Sequence, residues 1–169
     1  RIAAEKQRIA DSKPTVKEEF HSNGKLKSRI NYQSKTDGGE KHGLSEFYHE
    51  NGQLESKGNY KDGNGDGLSE SYYENGQLQY KGNWKDGKQD GLEEVYYENG
   101  QLEYKRNYKD GKRDGLSEIY YENGQLLYKG NYKDGKDDGL SESYFDNGKL
   151  RFKNCYKNDK IIDMSYCEK

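Results

Sequence analysis

The sequence predicts an all-β fold: an elongated antiparallel meander of about six β-hairpins with a short helix at its N-terminal end. Three observations predict it. First, Asn-Gly recurs at Asn23-Gly24, Asn51-Gly52, Asn75-Gly76, Asn99-Gly100, Asn123-Gly124 and Asn147-Gly148, with a step of 24 residues from the second copy onward. A fixed period of that length marks a repeat architecture. Second, each Asn-Gly stands between two short runs, as in Leu68–Tyr73 and Leu78–Trp84, in which aromatic or leucine residues alternate with polar ones. Alternation with period two belongs to strands whose faces differ. Third, a Gly/Asp cluster such as Lys85-Asp-Gly-Lys-Gln-Asp-Gly91 returns the chain to the next hairpin.

The elements follow in chain order. Residues 1–14 form a helical cap or linker, in which Ile2, Ala3, Ile9 and Ala10 make a weak apolar stripe that Pro14 ends. Residues 15–157 hold the six hairpins; the first step is 28 residues, and its extra four lie in Gln33–Glu40. Residues 158–169 read as a closing strand, Ile161–Cys167, because repeat arrays need an atypical unit to cover the terminal core. Cys155 and Cys167 lie in consecutive terminal strands and read as free thiols of that end cap. A disulfide there requires β-carbons within about 4.5 Å.

Register decides which face is buried. Asn-Gly is a strong hairpin signal because both residues tolerate positive φ. A two-residue loop places Tyr73 opposite Leu78, Ser71 opposite Tyr80 and Glu70 opposite Lys81. The last pair recurs as Glu18/Arg29, Glu46/Lys57, Glu94/Lys105, Glu118/Lys129 and Glu142/Lys153. A type I turn with a glycine bulge slips the pairing by one. It then gathers Leu68, Tyr72, Leu78, Tyr80 and Trp84 on one apolar side, and this form is the favoured one.

Composition bounds the function. Charged residues are 36% of the chain, and Leu, Ile, Val and Phe together number only 24 of 169. A two-layer globule with a large aliphatic core is therefore not expected. The repeat resolves the difficulty, because 16 of the 17 tyrosines fall on its lattice and supply a thin continuous core. No apolar run approaches the ~18 residues of a membrane-spanning helix. The formal net charge of −2 argues against a dedicated nucleic-acid binder. The chain begins at Arg1 with no apolar leader in view, and two cysteines neither demand nor exclude an oxidising compartment; cytoplasm and export both remain open.

No catalytic residue is expected, since an active site needs a unique convergence and here the carboxylates and serines recur once per unit. The string Asp62-Gly-Asn64-Gly-Asp66-Gly67 has the start of a calcium loop, but Tyr73 stands where such a loop needs a bidentate Glu. The turn chemistry alone accounts for it, and neither metal nor cofactor is expected. His21 and His49 occupy Tyr/Phe lattice positions, so they read as structural substitutions. Lys85, Lys88, Lys109, Lys112, Lys133 and Lys136 read as a solvated, edge-protecting rim beside Asp86, Asp110 and Asp134. The candidate binding residues are the aromatic ladder Tyr60, Trp84, Tyr108, Tyr132 and Tyr156, with its sister Tyr80, Tyr104 and Tyr128. A meander leaves a face uncovered, and rigid exposed aromatics suit partner binding.

These residues carry a family resemblance. Tyr80-Lys-Gly82-Asn-Trp84-Lys-Asp-Gly87-Lys-Gln-Asp-Gly91 resembles the Tyr-x-Gly-x-Trp/Tyr-x-x-Gly-x-x-x-Gly core of MORN repeats, and Tyr128–Gly139 repeats it. Tyr-Tyr-Glu-Asn-Gly-Gln-Leu is more similar to the bacterial variant repeats. Arg106 and Asn154 at the repeat glycine, and Ser56 at the repeat tyrosine, depart from the pattern. The resemblance implies a hairpin scaffold without catalytic residues. It also implies a protein partner, since bacterial members are commonly labelled antitoxins of toxin–antitoxin pairs or occur as exported repeat proteins. A carbohydrate-binding or membrane-surface role is the alternative expectation.

Overall fold

The computed structural model describes residues 2–168. Among them it is a thirteen-stranded antiparallel sheet whose strand order is the sequence order, with one α-helix. Helix α1 spans Ile2–Asp11. The strands are β1 (Thr15–Phe20), β2 (Leu26–Tyr32), β3 (Lys41–Tyr48), β4 (Leu54–Lys61), β5 (Asn64–Tyr72), β6 (Leu78–Lys85), β7 (Lys88–Tyr96), β8 (Leu102–Lys109), β9 (Lys112–Tyr120), β10 (Leu126–Lys133), β11 (Lys136–Tyr144), β12 (Leu150–Lys157) and β13 (Lys160–Ile162). Short 3-10 turns occupy Lys35–Asp37 and Met164–Tyr166. The chain divides into two compact units. One runs to Gly76 and includes Trp84–Gly87; the other holds Gln77–Asn83 and the residues from Lys88 onward.

The two sheet edges use different turns. At the Asn-Gly edge the glycine is left-handed and the asparagine is not, as the favoured bulged turn requires and the two-residue alternative does not. Gly100 N–H donates to Tyr97 O at 2.8 Å and Tyr97 N–H to Gln101 O at 2.8 Å, which is the three-residue loop with a glycine bulge. Asparagine serves a further purpose here. Its Oδ1 accepts from the backbone two residues on (Gln53 N to Asn51, 2.8 Å), and its Nδ2 donates to the next turn (Asn51 to Glu74 O, 3.0 Å). Asn23, Asn99 and Asn123 donate forward likewise. At the opposite edge the two central residues are both left-handed, Asp110 at φ 50° and Gly111 at φ 80°, the signature of a type I′ turn. Gly111 N–H there reaches back to Gln89 O at 2.8 Å, and Gly135 N–H to Arg113 O at 2.8 Å.

The Asn-Gly bulge is followed by another, which restores the register. Tyr96 lies opposite Leu102, but Val95 lies opposite Tyr104, so Glu103 is extra; Leu127 and Arg151 are extra in β10 and β12. The turn therefore has the favoured bulged form, yet Glu94/Lys105, Glu118/Lys129 and Glu142/Lys153 still face each other.

Helix α1, read as a cap or linker, has no buried residue, and its Asp11 pairs with Lys35 at 3.1 Å. Two expectations about the other end need correction. The closing strand is only Lys160–Ile162, because Asp163 accepts from Ser165 N–H at 2.9 Å and turns the chain into a 3-10 helix. That turn brings Cys167 back over Cys155, and the two are bonded rather than free, with Cα atoms 5.9 Å apart. Sequence spacing cannot show this, since the approach depends on where the strand stops.

Two outcomes follow. Gly115 sits at φ +108°, where an added Cβ also lies 3.3 Å from Asn107 Cβ; Gly115→Ala lowers unfolding free energy by about 1–3 kcal/mol in urea titration. Cys167→Ser removes about 2–3 kcal/mol. Hydrogen exchange shows that loss in β12 and β13 while β9 and β10 keep their protection, because repeats depend on their neighbours.

Candidate functional site

Pairing register assigns the faces. In the second unit Val95, Tyr104 and Ile119 lie opposite one another, as do Glu93 with Arg106 and Tyr108 with Arg113. Tyr128 faces Ile119 and Tyr132 faces Asp137. Tyr80 shares this side, because its ring end lies where a Cβ on Gly82 would be. In the first unit Tyr60 lies opposite Gly65, and Trp84 Cβ is 3.6 Å from a Cβ position on Gly65. The ladder and its sister thus share one side in each unit, here called the ring face. Leu92, Glu94 and Tyr96 alternate onto the other side together with Leu102. The expected grouping of Leu68 and Tyr72 with Tyr80 and Trp84 is therefore corrected: the extra residue after each repeat leucine turns the following tyrosine to the opposite face.

The ring face is one ring thick. Its floor is small and buried: Gly58, Gly82 and Gly130, with Ser45, Ser117 and Ser141. Tyr60, Trp84, Tyr80, Tyr104, Tyr108, Tyr128 and Tyr132 are all half-buried, each closed toward the floor and open on the other side. A ring burying about 100 Å² contributes about 2.5 kcal/mol. Burial pushes the hydroxyls of Tyr104 and Tyr108 upward, and that of Tyr132 furthest. Cations stack on this face: Lys41 over Tyr60 at 5.1 Å, Arg106 over Tyr104 at 3.8 Å and Arg113 over Tyr132 at 4.0 Å.

The opposite face is satisfied within itself. Lys57–Glu70, Lys105–Glu118 and Lys129–Glu142 approach at 2.8, 2.6 and 2.7 Å. Tyr72 and Tyr144 donate to Glu70 and Glu142. A further lattice position ties neighbouring hairpins: Tyr97 and Tyr121 hydroxyls donate to Tyr120 O and Tyr144 O at 2.8 and 3.0 Å. His21 and His49 do the same through Nε2, to Tyr48 O and Tyr72 O at 2.7 and 2.9 Å. They substitute for tyrosine as donors, as their lattice position implies.

Other sequence candidates do not converge. Asp62 forms a turn near His42 at 3.4 Å, and Asn64 begins β5 with its amide donating to Asp62 O. Among the described residues no three potential metal ligands cluster, and no helix is long and apolar enough to cross a membrane. Lys109 and Lys112, like Lys133 and Lys136, flank the type I′ turns as opposed pairs. Two departures on the ring face were only half legible in the sequence: Arg106 and Ser56 stood out from the repeat, and their companions Glu93 and Gly65 did not. Glu93, 7% exposed, stands at a serine position opposite Arg106. In the first unit Ser56 and Gly65 stand where later repeats carry Tyr80 and Gln89. Position-by-position alignment of the repeats was the signal that finds both.

Known proteins bear on the fold. The family model described as MORN repeat variant matches residues 16–34, 41–62, 65–86, 89–110, 113–134 and 137–158. Among curated proteins no relative matches. S. aureus TarM, solved as a mutant in complex with Fondaparinux, alpha-GlcNAc-glycerol and UDP, is 12% identical over 80% of this chain, with a TM-score of 0.36. This chain spans 23% of that one. Accessory secretory protein 1, 2 and 3 of Streptococcus pneumoniae gives 12% identity, 76% and 18% coverage and a TM-score of 0.21. A protein with unknown function from Bacteroides fragilis gives 10%, 90% and 99%, and 0.19. These likenesses carry nothing to this chain's activity.

The ion-paired face has a pH signature. Lys129, first, and the Tyr144 hydroxyl hold the Glu142 carboxyl below its ordinary value of 4.5. Its contribution is present above that value and is lost as pH falls through the lowered one. Urea midpoints of the parent therefore decline on acidification below about pH 4.5, and Glu142→Gln flattens that limb.

Proposed function

We propose that this chain, which belongs to the MORN repeat variant family, is a non-enzymatic repeat scaffold that binds a protein partner on its ring face. One observation carries the reading. In each unit the aromatic ladder gathers on a single face and is left half-open, whereas the charges of the other face pair among themselves. Rigid aromatics beside stacked arginines are the residue types that dominate binding energy at protein interfaces, because they bury much area at little entropic cost.

The narrower form of the proposal is the antitoxin or immunity component of a bacterial toxin pair. The family resemblance supplies that form, and the geometry is compatible with it: a repeat surface offers many equivalent rings to a large partner. The Cys155–Cys167 bond supports an encounter in an oxidising compartment, where such bonds persist.

The experiment is affinity purification of a stoichiometric protein partner, compared with Trp84→Ala and Tyr108→Ala. Each substitution weakens binding at least about tenfold, roughly 1.4 kcal/mol, while circular dichroism shows the sheet intact. Saturable binding to soluble glycans with no protein partner would overturn the reading in favour of a carbohydrate-binding face. Flotation with liposomes, again with no protein partner, would replace it with a membrane-surface scaffold.

A further inference from the structure

The repeats differ most informatively above Gly58. At Gly82 and Gly130 a Cβ would run into the hydroxyl ends of Tyr80 and Tyr128, so the repeat's own ring lies over bare backbone. At Gly58 the atoms nearest to a Cβ would be Ser69 Oγ at 3.3 Å, Ser69 Cβ at 3.7 Å and the edge of Tyr60 at 3.7 Å. No ring from the position two residues before it covers this glycine, because that position is Ser56 rather than tyrosine; the edge of Tyr60 lies beside it instead. The residue that would receive the ring's hydroxyl is missing as well. Gln89 donates to Tyr80 Oη at 3.3 Å, and Tyr128 Oη donates to Asp137 at 3.5 Å, whereas the equivalent position here is Gly65.

Two substitutions on adjacent strands therefore empty the same place. What remains is a hollow in the first unit whose lining includes Gly58, Gly65 and Ser69, with Tyr60 and Trp84 beside it. Trp84 is the only tryptophan of the chain and takes the ladder position that is tyrosine elsewhere. Its larger ring widens one wall. Nothing in the strand pairing distorts to close the gap: Gly58 still faces Ser69 and Tyr60 still faces Gly65.

Resting on the protein-binding reading above, we propose that this hollow is a seat for a tyrosyl side chain of the partner. The molecule itself identifies the guest. The same glycine floor, seen at Gly82 and Gly130, carries a phenol ring lying along the strand with its hydroxyl toward the next strand's polar residue. A guest phenol entering above Gly58 finds the Tyr60 and Trp84 rings for its flanks and the Ser69 hydroxyl for its polar end. The occupant is thus a tyrosine projecting from an extended or looped segment of a protein partner.

N-Acetyl-L-tyrosinamide is the direct probe. Excitation at the red edge, where tyrosine does not absorb, isolates Trp84 emission, and Gly58 and Gly65 amides report the same event by NMR. A saturable response with a dissociation constant on the order of 1 mM is expected for one side chain. Ser56→Tyr supplies the seat with the chain's own ring: the response is lost, and Tm rises by on the order of 3 °C. Gly65→Gln, the residue of the next repeat, closes the hollow from the facing strand and abolishes the response if Ser56→Tyr fails to fold. Ser56→Ala leaves the seat open and keeps it.

An unsaturable response, or one that survives both filling variants, overturns the proposal. A methyl glycoside that competes more strongly than the tyrosinamide overturns it in favour of a sugar ring. The two readings separate cleanly. Partner binding that is lost with Tyr108→Ala but unchanged by Ser56→Tyr leaves the scaffold standing and removes the seat.

Discussion

A sheet with no second layer can bury aromatic rings only by laying them on itself. A tyrosine ring lies along a strand where the residue beside it lacks a side chain, as at Gly82 and Gly130, or where that side chain stacks on the ring, as Arg106 does on Tyr104. That steric condition organises the rest. It demands a floor of glycine and serine, and Gly58, Gly82, Gly130, Ser45, Ser117 and Ser141 are buried there where an ordinary core has leucine or valine. Among the described residues Cys155 is the one buried apolar side chain. A chain poor in aliphatics folds because each repeat covers its backbone with rings, and each neighbour extends the cover.

Such a core is thin, so the hairpins need ties that run between repeats. Both edges supply them with turn chemistry. At one edge Asn23, Asn51, Asn99 and Asn123 each accept from their own loop and donate to the next one, a double role aspartate cannot perform. At the other, glycine N–H groups of the type I′ turns reach back to the preceding strand. Tyr97, Tyr121, His21 and His49 add a third line of side-chain donors between hairpins. Turn residues that look interchangeable in a single hairpin are thus constrained by the array.

The repeat, its strands and the Glu/Lys pairs were legible in the sequence because period and alternation survive local irregularity. The face assignment was not. A glycine bulge at the turn shifts the register by one, and the extra residue at Glu103 or Leu127 shifts it back. The two readings that alternation offered were each correct over part of the hairpin. The disulfide was hidden for another reason: Asp163 stops β13 early, and no periodic signal marks where the last strand ends. The ladder was legible as a set of residues, while its common side and its glycine floor needed the pairing.

In an array of near-identical units, a position that obeys the lattice says how the fold is held, and a departure carries information particular to this chain. The departures here are of two kinds. Arg106 and Glu93 replace a Gly/Ser pair together, face each other in register, and Arg106 stacks on Tyr104. Volume and opposite charge enter together at facing positions, although Glu93 Oε2 and Arg106 Nε are buried without a hydrogen-bond partner among the described residues. Ser56 and Gly65 do the reverse, removing a ring and its polar partner from one place while the strand pairing stays unchanged and Tyr60 and Trp84 border the space. A thin core gains nothing from a hole, because the omitted ring uncovers backbone of the kind that Tyr80 and Tyr128 cover in later repeats. Apolar surface left open beside Tyr60 and Trp84 is therefore a cost to the fold, which a partner's ring would recover on the binding reading proposed above.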